Sequence, residues 1–145
     1  MAQSITADEI KTLSPLILAH IGDAYFNLYV RTRLLEVTRN VTRLHELNAQ
    51  IVSATAQAKT YGAIENLLTA DERDIFRRGR NAKSHAPRKA TVGEYHASTG
   101  FEALLGDLFL RENLTRLDEI CEMAFKEARN VCENKSDNEL PARAD

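Results

Sequence analysis

The stretch Ser14-Pro15-Leu16-Ile17-Leu18-Ala19-His20-Ile21-Gly22-Asp23-Ala24-Tyr25-Phe26-Asn27-Leu28-Tyr29-Val30 decides how the chain is read. Ser14 before Pro15 marks a helix start. The serine oxygen can accept an orphan N–H, and proline lacks the N–H that a first turn leaves unmatched. Apolar residues then recur at three and four spacing to about Leu35. Leu16, Ile17, Leu18, Ile21, Tyr25, Phe26, Leu28, Tyr29, Val30 and Leu34 cover most of the circumference, which predicts a central buried helix. One residue is out of keeping: Asp23 is the only acid between Glu9 and Glu36.

The same periodicity continues outward. A second long helix is expected from about Thr42 to Tyr61, through Leu44, Leu47, Ile51, Val52, Ala54 and Ala58. Thr69 and Glu72 have capping-box spacing ahead of a short helix that Gly79 can close, and a loop follows from Arg80 to Ala90. Thr91 and Glu94 repeat that spacing before a helix through Leu110, and a last amphipathic helix spans about Leu114 to Val131. β-branched alternation is nearly absent, so the fold class is all-α. One domain is expected over residues 1–132, with a polar tail over 133–145.

Composition sets further bounds. The chain has 145 residues, 43% of them apolar and 28% charged, which suits one domain with a hydrophobic core. No apolar run approaches the roughly 20 residues that a membrane-spanning helix needs, and the N-terminus lacks the layout of a secretory signal, so the cytoplasm is the expected compartment. Cys121 and Cys132 fall in one helical segment, about 16 Å apart at 1.5 Å per residue, beyond disulfide reach. Neither belongs to a CxxC pair, and no zinc site is expected. His45-Glu46 begins an HExxH motif, but Ala49 stands where the second histidine is required.

An unpaired charge in an apolar helix needs compensation. For Asp23 the partner is either a base such as His20, one turn back, or a divalent cation. Glu102 repeats the pattern in Phe101-Glu102-Ala103-Leu104-Leu105-Gly106. Its helical neighbours Ser98, Thr99, Leu105 and Gly106 are mostly small or hydroxyl-bearing, which leaves room for water or an ion. Gly22 and Gly106 each cost about 1 kcal/mol against alanine within a helix, so both point to a close approach of backbone or ligand. His20 itself reads as a packed or hydrogen-bonded side chain, and Tyr25, Phe26 and Tyr29 as core or interface residues.

Charge is uneven along the chain. The formal net charge is −2, yet Arg77, Arg78, Arg80, Lys83, Arg88 and Lys89 crowd one segment that contains no acid. Such a run is either a solvated loop or a phosphate-contacting arm, since neutralised phosphates release counterions and supply sequence-independent affinity. It contains no aromatic residue, so base stacking is not its method.

His20-Ile21-Gly22-Asp23-Ala24 resembles the signature helix of the ribonuclease III family, and Phe101-Glu102-Ala103-Leu104-Leu105-Gly106 resembles that family's second acidic motif. Leu44-His45, Ile51-Val52-Ser53-Ala54 and Arg78-Gly79-Arg80-Asn81-Ala82-Lys83-Ser84 are similar to its mini-ribonuclease III branch. The resemblance implies a helical homodimer that hydrolyses phosphodiesters in double-stranded RNA. Asp23 and Glu102 would be its catalytic residues and its ligands for Mg2+. It further implies RNA contacts from Arg78, Arg80, Asn81, Lys83, Ser84, Arg88 and Lys89, and a base-paired end of precursor 23S ribosomal RNA as substrate. Whether a ribosomal protein on that substrate is also a partner stays open.

Larger ribonuclease III enzymes carry additional acids where this chain has Ala19 and Thr99, which leaves the number of metal ions open; a water held by Thr99 could replace a lost ligand. They also carry a separate double-stranded-RNA-binding domain for which there is no room here, so the basic segment is expected to grip the RNA. Two other readings compete: an inert helical RNA-binding or ribosome-associated module, and a purely structural helical dimer. Retention of both acids speaks against the first, and the basic segment against the second.

Overall fold

A computed structural model describes residues 5–82 and 91–139. They form seven α-helices and no strand: α1 (Ala7–Thr12), α2 (Pro15–Leu34), α3 (Val41–Val52), α4 (Ala54–Ile64), α5 (Ala70–Arg80), α6 (Val92–Leu110) and α7 (Leu114–Glu139), with a 3-10 turn at Glu65–Leu67. The all-α expectation holds.

Local chemistry fixes most of the boundaries. The Ser14 side chain accepts from Leu16 N at 3.2 Å, with Pro15 opening α2. Thr69 and Glu72 form a complete capping box at the start of α5. At α6 only half of the expected box forms. Thr91 accepts from Glu94 N at 3.1 Å, but the Glu94 carboxylate instead accepts from the Thr55 hydroxyl and ties α6 to α4. A further capping box, Thr6 with Glu9, builds α1, which periodicity alone did not reveal.

Three expectations need correction. The helix expected from Thr42 to Tyr61 is two helices. Ser53 is extended (φ −61°, ψ 150°), ends α3 and caps α4 by accepting from Ala56 N at 3.2 Å. Serine competes with the helical backbone in this way, so the break wins locally. Gly79 does not close α5 by a left-handed turn; it lies buried within the helix against α6. And α7 continues past Val131 to Glu139, over part of the stretch expected to be a polar tail. No proline interrupts that stretch, and Arg129 pairs with Glu133 one turn on at 3.2 Å.

The central helix is α6, not α2. Phe101, Ala103, Leu104 and Leu105 are fully buried, and α2, α4, α5 and α7 all pack on α6. Phe26, Val30 and Leu34 of α2 meet Leu117, Ile120, Cys121 and Ala124 of α7 in one core, with Phe26 edge-on to Phe101. The other side of α2 is open: Leu16, Ile17 and Leu28 are exposed. Its apolar excess is therefore only partly used within one chain.

Candidate active site

Helices α2 and α6 cross backbone against backbone. A Cβ on Gly22 would lie 1.8 Å from the Glu102 carbonyl oxygen, and one on Gly106 would lie 1.9 Å from that of Leu18. No side chain larger than hydrogen fits at either place. The close approach read from the two glycines is what brings Asp23, the residue after Gly22, to Glu102.

The two acids differ in setting. Asp23 is exposed, contrary to the burial expected from its apolar helix, because it lies at the rim of the buried face of α2 that carries Gly22 and Phe26. Its Oδ1 accepts from Asn27 Nδ2 at 3.0 Å, and the same nitrogen donates to the Asp23 carbonyl at 2.9 Å. Glu102 is half-buried. Burial, then the charge of Asp23, push its carboxyl up to about 8, while the Gln57 side chain pulls the other way as a hydrogen-bond partner. Among the described residues, no basic side chain forms an ion pair with either acid. His20, the alternative partner for Asp23, is exposed rather than packed.

Amides surround the carboxylates. Asn48 Nδ2 donates to Asn27 Oδ1 at 3.2 Å, so Asp23, Asn27 and Asn48 form a chain from the surface into the α2–α3 contact. Buried Gln57 donates from Nε2 to the Val52 carbonyl at 3.2 Å. The carbonyl oxygens of Asn48 and Gln57 are buried with no hydrogen-bond partner. Ser98 and Thr99 both donate their hydroxyls to the Tyr95 carbonyl, at 2.9 and 3.0 Å. Thr99 thus keeps only acceptor capacity for a water.

Sequence reading missed Asn27, Asn48 and Gln57. A signal existed for Asn48, which sits on the apolar stripe of α3 between Leu44 and Ile51, where a polar residue needs a reason.

This donor set consists of oxygens, which suits a hard cation such as Mg2+ better than a soft metal. Among the described residues, no group of three or more His, Cys, Asp or Glu side chains could hold a metal ion. The two carboxylates near the α2–α6 crossing match what Mg2+ takes, one or two carboxylates beside several retained waters. A separate groove of about 850 Å³, lined in part by Glu72, Asp107, Arg111 and Arg116, contains neither acid.

The basic residues are only partly described. Arg78 and Arg80 are exposed in the last turn of α5, with the Arg80 guanidinium 6.0 Å from the Phe76 ring centroid. Asn81 caps that helix through its backbone. Arg77 pairs with Asp74 at 2.6 Å. Lys83, Ser84, Arg88 and Lys89 lie outside the described residues.

Residues 16–113 match the ribonuclease III domain model, which spans both acids and the whole crossing. The chain belongs to the ribonuclease III family. It is 43% identical to the mini-ribonuclease 3 of a Thermoanaerobacter species, over 84% of this chain and 87% of the relative. To that of Symbiobacterium thermophilum it is 48% identical, over 78% and 88%. A crystal structure of a Fusobacterium nucleatum protein superposes with a TM-score of 0.74 at 31% identity, covering 81% of this chain and 96% of that one. Family and mini-ribonuclease III branch thus agree with the resemblance read from the motifs.

Proposed function

We propose that this endoribonuclease of the ribonuclease III family cuts double-stranded RNA, using Asp23 and Glu102 as catalytic residues and Mg2+ ligands. The carrying observation is the glycine crossing, which holds Asp23 beside a half-buried Glu102 with which no basic side chain among the described residues forms an ion pair. Bound Mg2+ supplies water activation near neutral pH and stabilises charge at the scissile phosphate.

The chain's own residues supply the rest. Asp23 presents an accessible carboxylate, which Asn27 orients through a hydrogen bond to Oδ1. Glu102, its carboxyl pushed up to about 8 by burial and then by the charge of Asp23, would hold the cation as a carboxylate, its proton given up on binding. Arg78 and Arg80, with Asn81, Lys83, Ser84, Arg88 and Lys89, contact RNA phosphates and sugars outside the reacting centre.

The active form is a homodimer. Exposed Leu16 and Ile17 form with His20 an apolar-centred face on the N-terminal half of α2, adjoining the site, which a second copy would cover. The physiological substrate is the base-paired end of precursor 23S ribosomal RNA, in the cytoplasm; a ribosomal protein on that substrate would be an additional partner. In the described residues no helix is long and apolar enough to cross a membrane.

Cleavage of a long double-stranded RNA tests this reading, with and without Mg2+, in the wild type and in folded Asp23→Asn and Glu102→Gln variants. Mg2+-dependent cutting lost in both variants is the expected result. Binding without cutting by the wild type would instead favour the inert RNA-binding module.

A further inference from the structure

Two buried amides, Asn48 and Gln57, stand behind the two acids in matching ways. Asn48 reaches Asp23 through Asn27, donating to Asn27 Oδ1 at 3.2 Å while Asn27 donates to Asp23 Oδ1 at 3.0 Å. Gln57 stands near the Glu102 carboxyl and favours its charged form. Both come from the segment that breaks at Ser53, Asn48 before the break in α3 and Gln57 after it in α4.

The break also anchors Gln57. Ending α3 at Val52 leaves its last carbonyls without helical donors, and Gln57 Nε2 donates to that of Val52. The amide is held at one end by backbone while its side chain stands near Glu102. In Asn48 the nitrogen is likewise committed, to Asn27. What remains is one carbonyl oxygen on each, buried and without a partner. Buried polar groups are nearly always matched, so each of these unmatched acceptors calls for a donor, and water is the usual source. A hydrated cation carries such water, and neutral amides can hold it without adding charge beside Asp23 and Glu102.

We infer that Asn48 and Gln57 are positioning residues of the cation site: Asn48 holds Asp23 through Asn27, Gln57 holds Glu102, and their free carbonyl oxygens accept hydrogen bonds from cation-bound water. The inference rests on the metal-site reading of Asp23 and Glu102. Partners of this kind orient metal ligands, and their loss commonly weakens metal affinity about 10–100-fold.

The test uses Mn2+ alone, without RNA. Binding is followed by loss of the free-ion electron paramagnetic resonance signal, with Mg2+ added as competitor and thermal unfolding measured on the same samples. Asn48→Leu and Gln57→Leu keep side-chain volume while removing both the donor and the unmatched acceptor. Each is expected to unfold at or near the wild-type temperature and to bind Mn2+ about tenfold more weakly. Gln57→Met, a more flexible replacement, guards against misfit of leucine and should show the same loss. Lower unfolding temperatures with wild-type Mn2+ affinity would make both amides structural and overturn the inference. If Asp23→Asn and Glu102→Gln also leave Mn2+ affinity unchanged, the metal-site reading fails with it, a result distinct from failure of the amides alone.

Discussion

Gly22 lies against the backbone of Glu102 so closely that a Cβ would stand 1.8 Å from its carbonyl oxygen. That contact sets the separation of α2 from α6, and hence of Asp23 from Glu102. Gly22→Ala or Gly106→Ala must push the helices apart, because the atoms in the way are backbone and cannot rotate aside. Each should cost about 3 kcal/mol or more in urea unfolding, at the upper end of overpacking effects. Gly62, within α4, has nothing within 4 Å of a built Cβ, so Gly62→Ala should stabilise by about 0.5–1 kcal/mol. Equal effects at Gly62 and Gly22 would remove the crossing as the reason for glycine.

Glu102 makes stability fall as pH rises. Its carboxyl sits near 8 in the folded chain against 4.5 ordinarily, so between those values the unfolded chain releases a proton that the folded one retains. The loss runs from about pH 4.5 to about pH 8 and is then complete. Glu102→Gln cannot ionise, so it should melt above the wild type at pH 8.5 by several degrees and match it near pH 4.5. Mg2+ should close the gap by stabilising the wild type at high pH. A gap that does not change with pH would mean that glutamine acts through packing.

Much of this was legible from residue order. Ser14-Pro15, the Thr69–Glu72 box and the two crossing glycines each carry a local physical reason, and the structure follows them. The two motifs containing Asp23 and Glu102 also fall within the matched family domain. Other features depended on information that periodicity does not hold. α2 is apolar nearly all round, so its sequence could not say which side faces α6, and Asp23 turned out to be exposed. The break at Ser53 was hidden because alanine-rich flanks continue the helical pattern, and with it went the placement of Gln57.

Glu72 and Arg116 form a two-point, largely buried ion pair away from the site. Arg116 Nε and Nη2 donate to the two Glu72 oxygens, each at 2.8 Å, and Nη2 also reaches the Leu67 carbonyl at 2.9 Å. Arg116 holds the Glu72 carboxyl below its ordinary value, so the pair's contribution is present above about pH 4.5 and lost as pH falls through the lowered value. Arg116→Met leaves a buried carboxylate without its cation and should cost about 3–5 kcal/mol at pH 7. The deficit should shrink toward pH 3, where Glu72 in the variant is neutral. An equal deficit at both pH values would place the loss in packing of the arginine stem.

The exposed arginines of α5 can be separated by their ion pairing. Arg77 already has Asp74 at 2.6 Å, whereas Arg78 and Arg80 have no ion-pair partner among the described residues. A charge that is not internally matched is the one that displaces counterions from a phosphate. Arg78→Ala and Arg80→Ala should therefore each weaken binding to double-stranded RNA and flatten the slope of log affinity against log salt by about 0.7–0.9 for each phosphate left without its arginine. Arg77→Ala should weaken binding less and leave the slope close to wild type. All three sit in the last turn of α5, where a positive charge also favours the helix C-terminus, so a similar small loss of helix stability is shared by the set. The difference in salt slope is consequently the informative quantity, and three equal slopes would remove this end of α5 from RNA binding.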